Sequence, residues 1–303
     1  MKTCLDQTCI GTCLRAIALL LAISVAAATT AAAQNFDGEP IVVDDDGDDV
    51  GTEGLTLREA IAQAEATAAD DLIAFADHIS VIHLTRGELW IGDLYMPPNS
   101  GWLMIDGGEG RVRIDAGGQS GILDIQSGPV IVKGLELVNG SASLGGGLLV
   151  WDLASVTLED SLVSGNYATD AGGGIFSIGE LIMFDAVIEN NYSRDSGGGL
   201  HIDATWGGSL FAIESSFWDN EARGVGGGIF NCVAEVMLIA PDLFFNTARN
   251  GGGIYNYGGH LSISDEAFAG NLAARNGDDI YYTTGSFDPA DLGPVRTALA
   301  EAL

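Results

Sequence analysis

NYATDAGGGI at residues 166–175, NYSRDSGGGL at 191–200, NEARGVGGGI at 220–229 and NTARNGGGI at 246–254 are four copies of one pattern. Each copy has an asparagine, three glycines that begin five or six residues later, and then an aliphatic residue. An earlier copy and a decayed later one extend the series, so an asparagine recurs about every 26 residues. The asparagines are Asn139, Asn166, Asn191, Asn220, Asn246 and Asn271. Self-similarity at this period indicates a repeat architecture.

Apolar residues recur at fixed offsets from these asparagines. The residue three positions before is always apolar, as in Val163, Ile188 and Phe217. Apolar residues eight and ten positions before alternate with more polar ones, which is the period of a β-strand. Such units bury their apolar residues only by stacking in register, so the sequence predicts an all-β parallel β-helix, or solenoid.

The glycines and asparagines fit this architecture. Glycine triplets suit corners that need positive φ or close backbone approach, and asparagines at one corner can stack their amides into a ladder between coils. Two other architectures fit less well. The leucine-rich-repeat pattern is absent, and a propeller blade needs about 40 residues or more.

Both ends of a solenoid need caps, because an open end is an unpaired sheet edge. Thr56 and Glu59 form a capping box that predicts a helix over roughly 57–68, and 291–303 reads as a second short helix. We therefore expect an amino-terminal cap with an acidic turn and a helix at 34–78, a parallel β-helix at 79–285 with clear repeats at 129–280, and a carboxy-terminal cap helix at 286–303.

The amino terminus is typical of a secretory signal peptide at 1–33. Lys2 and Arg15 precede an apolar stretch at 16–28, and alanines at 31–33 offer a cleavage site. About 13 apolar residues are too few to span a bilayer, which takes roughly 20. We expect a protein that is secreted or displayed on the cell surface, without a transmembrane segment once cleaved.

The charge balance excludes one large class of partners. The chain has 12 basic and 42 acidic side chains, a formal net charge of −30. Nucleic-acid binding needs a basic stripe, so we expect no nucleic-acid partner. Nothing in the sequence suggests oligomerisation, and we expect a monomer.

Three motifs, LTLREAI at 55–61, LTRGEL at 84–89 and VKGLELVNG at 132–140, resemble exported bacterial right-handed β-helix proteins of the CSLREA type. The later units resemble the repeats of polymorphic outer-membrane proteins. The resemblance covers about residues 41–285 and implies a right-handed, pectin-lyase-like fold, extracellular placement and mostly unassigned activity. Leu55 stands where the family has cysteine, so any role of that cysteine is lost here.

An acidic run at 44–49 raises the hypothesis of a calcium site formed by Asp44, Asp46, Asp48 and Glu53. It fails as an EF-hand loop because Val42 occupies the first ligand position and no helix enters the loop. A non-EF calcium site and a solvated acidic turn both remain open. No other cofactor is expected.

A cationic row follows the asparagines, and we interpret it as a candidate strip for sulfated or carboxylated glycans. It comprises Arg194, Arg223 and Arg249, each three residues after its asparagine, and Arg275, four residues after. Exposed turns with weak local ion pairs are the alternative. Six aromatic residues could add a sugar-stacking surface or simply pack between coils. They are Trp206, Trp218, Tyr255, Tyr257, Tyr281 and Tyr282.

Enzymes on this fold often act on acidic polysaccharides, but no catalytic motif of theirs is present as such. A carboxylate row six residues before the asparagines is interrupted by Ala240, and Lys133 is the only lysine after the leader. The row comprises Asp160, Asp185, Glu214 and Asp265. We assign no catalytic residue and expect a non-enzymatic carbohydrate-binding, surface-binding or adhesin-like protein, or a structural one. A polysaccharide lyase or glycoside hydrolase is the alternative.

Overall fold

A computed structural model of the chain describes residues 38–51, 53–93, 101–265 and 267–289, without the side chains of 286–289. In this part the chain winds into an all-β parallel solenoid of about seven turns with one short helix. This confirms the fold class predicted from the repeats. The predicted signal peptide at 1–33 lies outside the described residues.

Three parallel sheets, here called A, B and C, form the walls of the solenoid; strands are numbered in chain order. Sheet A contains β1 (Ile41–Val43), β2 (Asp71–Phe75), β4 (Leu89–Ile91), β5 (Leu103–Asp106), β7 (Leu123–Lys133), β10 (Leu148–Glu159), β13 (Ile175–Ser177), β14 (Glu180–Phe184), β17 (Leu200–Asp203), β18 (Ser209–Ile213), β21 (Ile229–Cys232), β22 (Glu235–Ile239), β25 (Ile254–Ser264) and β28 (Ile280–Pro289). Sheet B contains β3 (Val81–His83), β6 (Val112–Asp115), β8 (Leu135–Val138), β11 (Leu162–Ser164), β15 (Val187–Glu189), β19 (Ser216–Trp218), β23 (Asp242–Phe244) and β26 (Ala267–Ala269). Sheet C contains β9 (Ser141–Leu144), β12 (Tyr167–Ala171), β16 (Tyr192–Ser193), β20 (Glu221–Ala222), β24 (Thr247–Asn250) and β27 (Leu272–Asn276).

Each strand pairs in parallel with its copy one repeat later, so equivalent residues stack along the axis. In sheet B, Val163 pairs with Ile188 and Ile188 with Phe217. All three side chains are fully buried in one continuous core. Full burial of such a side chain stabilises the fold by about 1.5–3 kcal/mol, which each coil gains only when a neighbour covers it.

The buried asparagines form the predicted ladder. The Asn191 side-chain amide donates to Asn220 Oδ1 at 3.0 Å and to the Val163 carbonyl at 2.9 Å, and the Asn191 backbone N–H donates to Asn220 Oδ1 at 3.1 Å. The same three bonds recur from Asn166 to Asn246. Asn271 receives the last of them and donates to the Leu243 carbonyl.

Asn139 is not part of the ladder, which corrects the sequence-based assignment. It lies one position earlier in its coil, is exposed, has a φ of 57° and donates to Asp115 Oδ1. Gly140 takes the ladder position and donates its N–H to Asn166 Oδ1 at 2.7 Å. The pairing between β9 and β12 shifts register within the strands. In this coil the glycine triplet begins five residues after the ladder position at Gly140, instead of the six that separate Asn166 from its triplet. The asparagine expected from its spacing to the triplet therefore lies one residue before the ladder.

The glycine triplets lie where no side chain fits. Gly197 has a φ of 62°, which glycine adopts without strain. A Cβ on Gly198 would lie 2.4 Å from the Gly227 carbonyl oxygen and 2.5 Å from the Glu221 carbonyl carbon of the next coil. The triplet therefore runs close beside the backbone of the next coil. Both predicted reasons for these glycines, a positive φ and a close approach of backbone, are confirmed.

The amino-terminal cap contains helix α1 (Leu57–Glu65), which begins at the predicted capping box: Thr56 accepts from the Glu59 N–H, and Glu59 accepts from the Thr56 N–H. Its apolar face is buried against the first coils and comprises Leu57, Ala60, Ile61 and Ala64. The helix ends three residues earlier than expected. At the other end, β28 continues to Pro289, beyond the expected boundary at 285. The rest of the predicted carboxy-terminal helix lies outside the described residues.

Candidate functional site

Sheet C presents a row of arginines on its outer surface. Arg194 follows Ser193, Arg223 follows Ala222 and Arg249 follows Ala248; these three preceding side chains are buried, whereas the arginines are exposed. Ser193 pairs with Ala222, and Glu221 pairs with Thr247. Arg194 and Arg223 are therefore level on successive coils, about 4.8 Å apart, and Arg249 follows on the next coil, where the register between its strand and the coil of Arg223 shifts by one residue at Gly224.

Arg275 lies beside this row rather than in it. Ala248 pairs with Ala273 but Asn250 pairs with Asn276, so β27 has one extra residue at this point. The extra residue displaces Arg275 by one step from Arg249. We therefore call the arginine row Arg194, Arg223 and Arg249, with Arg275 as an exposed neighbour.

No carboxylate neutralises these side chains within the described residues. Ion pairs closer than 4.0 Å there are made by Arg58, Arg111, Arg113 and Lys133. Sequence neighbours of the arginines, such as Asp195 and Glu221, do not pair with them in this part of the chain. Three stacked cations repel one another, and the repulsion falls when an anion binds between them.

A pair of stacked tyrosines continues the same surface. Tyr167 and Tyr192 are register partners, with ring centroids 5.7 Å apart and ring planes 3° from parallel. Tyr192 lies two residues before Arg194 and so points to the same side of the strand. The sequence-based search for aromatic surfaces missed this pair, although the repeated Asn-Tyr dipeptides at 166–167 and 191–192 signal it.

Sheet A carries a separate outward ladder of five rings with centroids 4.6–5.5 Å apart. They belong to Phe176, His201, Phe230, Tyr255 and Tyr281. Burial lowers the pKa of His201 to about 4, and its Nδ1 lies 2.8 Å from Ser196 Oγ. Of the six predicted aromatic residues, only Tyr255 and Tyr281 join this ladder. Trp206, Tyr257 and Tyr282 are exposed, and Trp218 lies on sheet B.

The acidic turn does not assemble the four predicted calcium ligands. Asp48 is buried and accepts from Arg58 and from the backbone N–H groups of Thr85 and Arg86. Asp44 Oδ1 accepts from the Leu55 N–H, while Asp46 and Glu53 are exposed. No group of three His, Cys, Asp or Glu side chains in the described ranges could hold a metal ion. Calcium binding stays a prediction that this geometry does not favour.

The carboxylate row lies at the turn between sheets A and B. Its four members have φ angles of 43–52°, and Ala240, which interrupts the row, has a φ of 49°. Aspartate tolerates this left-handed conformation better than most residues, which explains part of the row without any chemistry. Burial, with the charge of Glu214, raises the pKa of Asp185. Lys133, the one lysine among the described residues, is paired with Glu159 at 2.8 Å.

No family model matches the chain, and no curated protein or solved structure matches it significantly. The described part of the chain contains no helix of the length and apolar character needed to cross a membrane. The fold is therefore shown by the structure alone, and a fold of this kind does not by itself determine the function.

Proposed function

We propose that this protein is an exported, non-enzymatic binding module that holds an anionic polysaccharide along sheet C. One observation carries the proposal: Arg194, Arg223 and Arg249 are exposed on successive coils with no carboxylate within 4.0 Å in the described structure. In a chain with a net charge of −30, nearby acidic groups are plentiful, so an unpaired cationic row is conspicuous.

The chemistry of the row suits carboxylate or sulfate groups. A guanidinium group presents a planar set of donors that matches two oxygens of such an anion, and charge-assisted bonds of this kind are about twice as strong as neutral ones. A polymer lying parallel to the solenoid axis would meet one cation per coil. The stacked rings of Tyr167 and Tyr192 would extend this track with surfaces on which sugar rings pack.

Export is the second part of the proposal, and the sequence supports it. The charged and apolar pattern of residues 1–33 is typical of a signal peptide, and the motifs at 55–61, 84–89 and 132–140 resemble exported right-handed β-helix proteins. An acidic surface also favours solubility outside the cell. The glycan would then belong to a cell surface or to the surrounding matrix.

Two assays on the purified protein separate the candidate functions. Affinity electrophoresis through gels containing polygalacturonate, alginate or dextran sulfate should slow the protein at low salt, and the retardation should disappear at high salt. A reducing-end and unsaturated-product assay on the same polymers should find no turnover. Product formation that a single carboxylate variant abolishes would instead identify a lyase or hydrolase. If the protein shows neither retardation nor turnover, the result favours a structural solenoid.

A further inference from the structure

A second candidate site lies on sheet A near the amino-terminal cap, far in sequence from the arginine row. We propose that Trp90 and Trp151, each fixed by a carboxylate, form a binding site for a neutral oligosaccharide. The site is independent of the arginine row, because it lies on a different sheet and carboxylates dominate its charge.

Trp90 is an exposed ring held in one orientation. It lies in β4 and is 61% exposed, and its indole Nε1–H donates to Glu88 Oε1 at 3.0 Å. The ring forms one wall of a cleft of about 420 Å³ between helix α1 and β4, whose other walls include Ile61 and Glu65. An aromatic ring that is both exposed and fixed loses little side-chain entropy when a ligand packs on it.

Trp151, which is half-buried, is likewise held by a carboxylate on a later coil. Trp90 pairs with Asp124 and Asp124 pairs with Leu149, so β4 and β10 flank β7 on either side. The Trp151 indole N–H donates to Asp124 Oδ1 at 2.7 Å, at the point where the pairing of β10 with β7 shifts register. Strands β4 and β10 lie two strand spacings apart, about 10 Å, with Asp124 between them, and Trp151 lies two residues beyond Leu149, the residue level with Trp90.

Carboxylates dominate the charge of the site: Glu65, Glu88 and Asp124 lie in it, against Arg86 as an exposed arginine of the cleft beside Trp90 and Arg58, which is paired with Asp48. Asp124 is only 7% exposed, and burial, together with the charge of Glu88, raises its pKa. Glu88 also borders a second cleft of about 380 Å³ lined by Ser120 and Gly121. Carboxylates accept hydrogen bonds from sugar hydroxyls but repel carboxylated or sulfated sugars. Indole rings pack on the apolar faces of sugar rings, so the site suits uncharged sugars.

The backbone beneath the site is fixed by the cap. Arg58 donates to the carbonyl oxygens of Gly87 at 2.8 Å and Glu88 at 3.0 Å, and its Nε and Nη2 also donate to Asp48. This clamp holds the segment that carries Glu88 and Trp90 against helix α1. Precise placement of a site by buried supporting residues is what specific binding requires.

Isothermal titration with cellohexaose, maltohexaose, xylohexaose and mannohexaose tests the site in the full chain. We expect saturable binding of at least one of them, at least tenfold weaker in Trp90→Ala and in Trp151→Ala, and partly retained in Trp90→Phe. A tenfold loss corresponds to about 1.4 kcal/mol. Trp206→Ala is the matched control, because Trp206 is 70% exposed on a turn of sheet A but lies outside the site.

Thermal unfolding of each variant separates lost binding from lost structure, and Trp90→Phe keeps an aromatic ring if the alanine variant unfolds early. The proposal is overturned if none of the four oligosaccharides binds at millimolar concentration. It is equally overturned if binding is unchanged in both Trp90→Ala and Trp151→Ala, or if Trp206→Ala weakens binding as much as they do.

Discussion

Asp48 and Arg58 form a two-point ion pair, with Arg58 Nε 2.8 Å from Asp48 Oδ1 and Nη2 3.1 Å from Oδ2. The Asp48 side chain is 1% exposed, and its Oδ2 also accepts the N–H groups of Thr85 and Arg86. The acidic turn, helix α1 and the approach to β4 therefore meet at one carboxylate. Its role in this structure is to join the cap to the first coils.

Asp48→Asn should destabilise the protein by about 3 kcal/mol, because it leaves the Arg58 charge partly buried without a counter-charge. Thermal and denaturant unfolding measure the loss. Asp46→Asn, at an exposed position of the same turn, is the control and should change stability by less than about 0.5 kcal/mol. Equal effects of the two variants would contradict the role given to Asp48.

Asn220→Ala should cost about 3–5 kcal/mol, because the Asn220 side chain accepts both ladder bonds from Asn191 and donates to Asn246 Oδ1 and the Ile188 carbonyl, and these four bonds are lost together. The donors left behind are buried, and each unsatisfied one costs about 1–3 kcal/mol. The contrasting variant is Asn139→Gly, at a position with a φ of 57° outside the ladder. Chemical denaturation should find that variant nearly as stable as the parent.

Gly198→Ala should destabilise by about 3 kcal/mol, because the new methyl group would meet backbone atoms of the next coil at 2.4–2.5 Å. Gly110→Ala provides the comparison, since Gly110 is exposed and a Cβ there meets nothing within 4 Å. Differential scanning calorimetry of both variants checks the contrast. A Gly198 variant as stable as the Gly110 variant would show that the coils pack less closely.

Stability should depend on pH through His201. Its pKa is about 4 in the folded protein against 6.5 for the free side chain, so between these values the unfolded chain binds more protons. The contribution of His201 to the free energy of unfolding has its full value above about pH 6.5. It decreases as the pH falls through about 4, by about 3 kcal/mol in all. In His201→Phe, which continues the ring ladder between Phe176 and Phe230, this component should be absent from stability curves measured across that range.

The repeats made the fold predictable, because each glycine triplet and each ladder asparagine answers one local requirement that recurs in every coil. The need for glycine at position 198 follows from one corner of the solenoid, and the need for asparagine at position 220 follows from one pair of adjacent coils. The error at Asn139 arose because spacing along the chain does not reveal a register shift. A one-residue irregularity in a strand is decided by packing between coils.

The candidate sites were harder to predict from sequence. The arginine row followed from the repeats, and the different offset of Arg275 from its asparagine corresponds to an extra residue in β27. Trp90 and Trp151 come near each other only because β4, which lies outside the regular repeats, pairs with β7 on the side opposite β10. The acidic turn resembled a metal site because its partner, Arg58, lies in a different element. Contacts of this kind depend on tertiary placement rather than on local pattern.

The central claim is that the arginine row binds an anionic polysaccharide. The most direct test compares the affinity of the purified protein for polygalacturonate and for dextran sulfate with that of the triple variant Arg194→Gln, Arg223→Gln, Arg249→Gln. The control is the double variant Arg111→Gln, Arg113→Gln, whose arginines are paired with Asp160 and Glu136. We predict saturable, salt-sensitive binding of at least one polymer, at least tenfold weaker in the triple variant and within about threefold of the parent in the control. Unchanged affinity in the triple variant, or an equal loss in the control, would contradict the account.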